Sequence, residues 1–195
     1  KRVAGMFRTL REQPGVRSFL AHNMTVTPRN VDEVAGVVRV CRDAGFRMCS
    51  FQPAAEIGDT RRWATDRQVV TDDRVWSAVE EGIGARLPYD ALHVGDPRCN
   101  RTCWGFLVGD RYVPLLEIGR PAERRARDVF LRCFPGVDFA APRPLLALRL
   151  VRIILRHPTI VPVALAWGAS FIRLAGPRAL IRHGGRPLTF VMHSF

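Results

Sequence analysis

Between Leu20 and Pro53 the apolar and polar positions change period twice, which predicts a strand, a helix and a second strand. Asn23, Thr25 and Thr27 alternate with their neighbours, so all three share one face of a strand over residues 19–26, with His22 on the other. Asn30 then stands where a helix cap is needed, and Glu33 follows three positions on, the spacing of a capping box. Val31, Val34, Val37, Val38 and Cys41 recur at helical spacing and predict one buried stripe on a helix over 31–44. Gly45 ends that helix, and Phe46–Phe51 is a second short apolar strand. Two strands joined by a helix are expected to lie parallel in one sheet, with a right-handed crossover. In such sheets and barrels, ligands meet the carboxyl ends of the strands, here Thr25–Asn30 and Ser50–Ala54. The fold class is therefore α/β.

The pattern continues less regularly. Residues 54–70 mix Gly, Asp, Thr and Arg and read as a loop, the kind of segment in which barrels concentrate function. Thr71 or Asp72 caps a helix whose Val75, Trp76, Val79 and Ile83 share a face. Leu92–Val94 is a short apolar run. Trp104–Val108 and Arg111–Leu115 flank Gly109-Asp110, a two-residue turn between apolar runs that signals a hairpin. Pro121–Phe134 is expected to be helical and to break at Pro135-Gly136. Leu145–Arg156 is a helix with Arg149, Arg152 and Arg156 on one stripe, and Ile160–Ile172 is a run of thirteen uncharged residues. Pro177–His183 is a short basic helix, and Leu188–His193 a final strand. The chain divides on this basis into residues 1–95, a cysteine-containing hairpin and helix over 96–138, a basic helical extension over 139–187, and the start of a further strand over 188–195.

Composition narrows the class. At 195 residues, with 47% hydrophobic and 25% charged residues, the chain has the make-up of an ordinary globular protein. No secretory signal pattern opens it, and five cysteines at irregular spacing form no disulfide framework, so the cytoplasm is the expected compartment. Charge is unevenly placed: residues 139–195 carry eight arginines and no acidic residue, +8 of the net +12. A sequence pI of about 11.1 invites nucleic acid, but the aromatics are not interleaved with the arginines as stacking platforms require.

The segments NMTVTPRNVDEV (Asn23–Val34) and FRMCSFQPAAEIGD (Phe46–Asp59) resemble the later strands of radical S-adenosylmethionine enzymes, which have a partial β/α barrel. The likeness covers about the first half of the chain. It implies that Asn23, Thr25 and Gln52 line the cleft over cofactor and substrate. It also implies S-adenosylmethionine, a 4Fe-4S cluster, a reductant protein, and a small-molecule or lipid substrate whose hydrogen is abstracted after reductive cleavage of the cofactor. The family's C-x3-C-x2-C, whose thiolates hold the cluster, is absent. Only Cys99 and Cys103 have its first spacing, and Phe106 stands where the third cysteine would be. With Lys1 at its start and an apolar strand developing as it stops at Phe195, the chain reads as a piece of a longer protein, inactive alone.

Two features remain open to more than one reading. Cys99 and Cys103 fit either a pair of ligands to an auxiliary iron–sulfur cluster or small packed thiols, whereas Cys41 and Cys49 belong to the core. Residues 143–186 fit either a helical cap on a missing half of the barrel or an amphipathic hairpin on an anionic membrane surface. Thirteen uncharged residues are too few to cross a bilayer, which takes about twenty. The membrane reading gives an alternative function, a surface-associated protein without catalysis of its own. His22, His157 and His183 have structural roles, and His93 and Asp96 share a loop with Cys99.

Overall fold

Alternation along Ala21–Val26 (β1) and Met48–Pro53 (β2) produces two parallel strands in register, Ala21 opposite Met48 through Val26 opposite Pro53. The computed structural model describes residues 2–13, 19–55, 69–93, 95–96, 98–139 and 141–194. A helix over Arg2–Arg11 (α1) precedes the strands. The linking helix α2 (Val34–Ala44) follows a single 3-10 turn over Val31–Glu33 and buries Val34, Val38 and Cys41, with Val31 beneath the turn. Gly45 stops it at φ 83°, where its N–H reaches back to the carbonyls of Cys41 and Arg42. Left-handed backbone of this kind is cheap only for glycine.

The capping box over Asn30 and Glu33 is not formed. The Asn30 side chain turns back to the strand instead: its Oδ1 accepts from the Thr27 backbone N–H at 2.7 Å, and its Nδ2 donates to the Thr25 carbonyl at 3.1 Å. A local loop bond competes with the cap for the same oxygen, and here the loop wins because β1 ends only four residues earlier.

After the loop, whose residues 56–68 lie outside those described, Thr71 caps α3 (Asp72–Ile83) by accepting from the Arg74 N–H at 3.3 Å. Val75, Trp76, Val79 and Ile83 are buried, as their spacing predicts. Leu92 continues a 3-10 turn over Tyr89–Ala91 and Val94 lies outside the described residues, so the Leu92–Val94 run supplies no described strand. The hairpin is formed by β3 (Asn100–Val108) and β4 (Arg111–Pro114), which pair antiparallel across Gly109-Asp110. Helices α4 (Pro121–Cys133), α5 (Arg143–Arg156), α6 (Ile160–Ala175) and α7 (Pro177–His183) follow.

The last strand, β5 (Arg186–His193), is central rather than peripheral. It runs parallel to β2 on one side and antiparallel to β3 on the other, giving a mixed sheet in the order β1-β2-β5-β3-β4. It thereby welds the strand-helix-strand unit to the hairpin. Its Leu188, Phe190 and Met192 alternate into the main core, where α2 and α3 pack against Val26, Phe51 and Tyr112. A smaller core of Val108, Val113 and Ala175 lies on the opposite face, where α6 and α7 cover only the β3–β4 end.

Candidate functional site

The two sheet faces differ in kind, and the difference follows from strand register. Residues alternating into the α2–α3 core are apolar: Val26, Cys49, Phe51, Phe190 and Met192. Their neighbours, on the other face, are mostly polar. Asn23 lies opposite Ser50, Ser50 opposite Val191, and Val191 opposite Thr102, so one row crosses four strands. The next row toward the carboxyl ends of the parallel strands holds Thr25 opposite Gln52, and Asn100 opposite His193. Ser50 and Thr102 are buried, Gln52 and His193 half-buried, Asn23 and Thr25 exposed. The structure places Asn23, Thr25 and Gln52 on one face, Thr25 and Gln52 near the carboxyl ends of β1 and β2 and Asn23 in mid-strand, whereas the cavities beside β3 and α3 are lined by other residues. Among the described residues none of their three side chains makes a hydrogen bond to the protein.

The rows are held in place from below and from the end. Thr102 donates to Asn100 Oδ1 at 2.7 Å. Beyond His193, the Ser194 N–H donates to the Cys99 carbonyl at 2.9 Å and its hydroxyl bonds Asp72 Oδ2, tying β5 to α3 and to the turn before β3.

Beside the polar rows the same face opens into a cavity of about 560 Å³ between β3, α4 and α6. Thr102 and Trp104 form its floor, Ala126 and Phe130 of α4 one wall, Val163 and Trp167 of α6 the other. Trp167 is fixed by donating its indole N–H to the Leu115 carbonyl at 2.9 Å. Arg127 alone among the lining residues is charged; its guanidinium is already committed to the Ala91 carbonyl at 3.2 Å and to Asp128 at 2.8 Å. Apart from Thr102, whose hydroxyl is bonded to Asn100, the rest of the lining is apolar. At the far end of the α4–α6 contact, buried Glu123 accepts from Arg120 and from the Ser170 hydroxyl, each at 3.2 Å. A second hollow, of about 310 Å³, holds Asp73, Glu80 and Arg101. Arg101 there pairs with Asp73 at 2.7 Å and lies 4.6 Å from the Tyr89 ring, and Glu80 accepts from the Leu87 N–H, so its charges serve the fold.

Cys99 and Cys103 are not brought to a common site. Cys99 is exposed in the turn before β3, whereas Cys103 is 2% exposed and faces the main core. Even the stretch from Asn100 to Cys103 spans about 10 Å of extended chain. Burial pushes the Cys103 thiol up to about 12, only partly offset by the Tyr112 hydroxyl 3.6 Å from its sulfur. Among the described residues no group of three or more His, Cys, Asp or Glu is placed to hold a metal ion. Cys41 and Cys49 sit in the core as expected, where the hydrogen bond between them and burial push the Cys49 thiol well above its ordinary value.

His22 lies on the core side of β1, its ring 6.1 Å from that of Phe46, and burial holds its pKa below the ordinary value. Its Nδ1 is buried without a partner among the described residues. Asp96 is taken by Arg98 at 2.8 Å, which lowers its pKa, and His93 is exposed.

The helices behind the cavity turn outward. No residue of α5 is buried, and Leu148 and Leu155 are 67% and 77% exposed. Among the described residues no single helix is long and apolar enough to cross a membrane; α5 and α6 meet the length and composition only as a pair bent by 112°.

No protein-family model matches the sequence, and no curated protein matches it.

Ser50, Asn100, Thr102 and His193 share the polar rows with Asn23, Thr25 and Gln52, and motif reading misses them. The signal for them is the alternation in Ser50-x-Gln52, Asn100-x-Thr102-x-Trp104 and Thr189-x-Val191-x-His193. It becomes legible only once β5 is known to lie between β2 and β3.

Proposed function

We propose that this chain supplies cleft-lining strands of a radical S-adenosylmethionine oxidoreductase built on a partial β/α barrel, brought to an anionic membrane surface by residues 143–186. One observation carries the reading. The parallel strands β1 and β2 present Asn23, Thr25 and Gln52 in register on the face opposite α2 and α3. In a β/α barrel the helices lie outside, and the polar groups at the inner strand ends meet the ligand. The amide and hydroxyl groups of the three residues offer both donors and acceptors, which suits the ribose hydroxyls and amino-acid group of S-adenosylmethionine. When bound, that cofactor supplies the means of taking a hydrogen atom from an unactivated carbon.

The residues present do not fit the iron–sulfur cluster. The only C-x3-C pair is split between a turn and a closed core, so the cluster ligands belong to another part of the complete enzyme. The role of this chain is to bind and orient, and a reductant protein would dock elsewhere. The exposed apolar surface of α5 favours a second reading, a membrane-surface protein without chemistry of its own.

The test is equilibrium binding of S-adenosylmethionine to the complete protein, prepared anaerobically. Gln52→Ala and Asn23→Ala should each weaken binding about fivefold to tenfold, the worth of one hydrogen bond, without shifting the unfolding midpoint. Unchanged affinity in both variants removes the site assignment.

A further inference from the structure

The largely apolar lining of the cavity between β3, α4 and α6 does not suit a polar cofactor, and its place in the sheet suggests another use. We infer that it is the hydrocarbon-chain subsite for an amphiphilic, membrane-derived substrate whose polar end lies over the Asn23–Ser50 row; the assignment of the reaction to that row rests on the reading just given.

Three observations converge. First, the cavity and the polar row share one face and one level of the sheet, since Thr102 of its floor stands in the same row as Val191, Ser50 and Asn23. β2 and β3 are two strand spacings apart, about 10 Å, so an extended molecule reaches both. A polar strip beside an apolar slot is the shape of an amphiphile's binding site. Second, the volume of about 560 Å³ lies in the range of small-molecule sites, about 300–1,000 Å³, and the one charged lining residue is already bonded to the protein. A lining without unsatisfied polar groups selects by hydrophobic burial alone.

Third, the cavity wall is continuous with the surface that would meet lipid. Ile160, Val163 and Trp167 line the slot from one side of α6, while Val161, Leu165 and Ile172 are exposed on the same helix. α5 adds exposed Leu148, Val151 and Leu155 along with Arg149, Arg152 and Arg156. The absence of any acidic residue after Asp138 gives this region one sign of charge, complementary to anionic headgroups. A chain drawn from the bilayer would enter beside the helix that rests on it.

The experiment measures binding of straight-chain fatty alcohols, from eight to sixteen carbons, to the complete protein by displacement of a fluorescent apolar dye. Uncharged alcohols separate chain burial from attraction to arginine. Affinity should rise about fourfold per added methylene until the slot is full, then level off. Ala126→Trp and Val163→Trp, which fill the slot from opposite walls, should each weaken binding more than tenfold while S-adenosylmethionine binding and the unfolding midpoint stay unchanged. Affinity independent of chain length, or untouched by both fillings in folded protein, overturns the inference. Chain-length-dependent binding together with S-adenosylmethionine binding indifferent to Gln52→Ala overturns the proposed reaction and keeps the cavity assignment. Leu148→Asp should abolish sedimentation with anionic vesicles and leave alcohol binding intact. Vesicle binding that survives the change removes α5 as the contact surface, and absence of vesicle binding by the unaltered protein removes the membrane as the source of the chain.

Discussion

Helices α2 and α5 both carry apolar stripes, yet only one of them meets a sheet. In α2, Val34, Ala35, Val38 and Cys41 are buried against the strands and α3. In α5, which is three residues longer at 14 against 11, none is. The two sequences look alike because amphipathic spacing records only that one side of a helix avoids water. It does not record what covers that side. The charges differ where the stripe does not: α5 and its successors hold arginine without acid, which a solvated helix has no reason to do and an anionic surface favours.

Within the contrast between α2 and α5, the largest effect is expected at buried Val38. Val38→Asp places a carboxylate at a position 1% exposed with no partner, and should cost on the order of 4 kcal/mol or more in urea unfolding. Leu148→Asp, at 67% exposure, should change stability by about 0.5 kcal/mol or less. Equal losses would mean that α5 is packed against protein rather than exposed, which ends the membrane reading.

Glycines sharpen it at smaller scale. A Cβ on Gly82 of α3 would lie 2.7 Å from both the Ala35 carbonyl oxygen and the Val38 Cβ, because α2 and α3 approach closely there. Gly82→Ala should therefore destabilise by about 1–3 kcal/mol in spite of alanine's higher helix propensity. Gly168 of α6 would meet nothing within 4 Å, so Gly168→Ala should stabilise by up to about 1 kcal/mol. Thermal melts of the pair distinguish a packed helix from an uncovered one.

The smallest effect concerns the thiols. Cys99 is exposed and should react with iodoacetamide in the native protein, while Cys103 should react only after unfolding. The Cys103 thiol is raised in the folded state, to about 12 from an ordinary 9.0, so the unfolded chain ionises first as pH rises. Its contribution to stability is complete below pH 9 and is lost progressively toward pH 12. Replacing it by valine should flatten that part of the alkaline unfolding curve. Native labelling of Cys103 at neutral pH would show that the β3 core is open.

The shared strand face of the candidate residues could be read before folding. Asn23 and Thr25 follow from period-2 alternation, and Gln52 from its place at a strand end. Asn30 was legible as a helix-start residue but not in its bonding, since a cap and a strand-end turn use the same side-chain oxygen and differ only in backbone direction. Cys99 and Cys103 show the opposite failure: four positions apart in the sequence, they fall in a turn and in a core because β3 begins between them and turns Cys103 inward.

Local spacing along the chain specifies the elements: strand, helix and strand over residues 21–53, the capped α3, the hairpin at Gly109-Asp110, and the one-signed charge of the last helices. These depend on near neighbours, whose spacing is written in the chain. Long-range packing sets the place of β5, from residue 186 onward, between β2 and β3. That placement completes the polar rows, floors the cavity with Thr102 and Trp104, and joins the two halves of the molecule into one sheet. Strand order depends on burying Leu188, Phe190 and Met192 against partners more than a hundred residues away, and no local pattern encodes that choice.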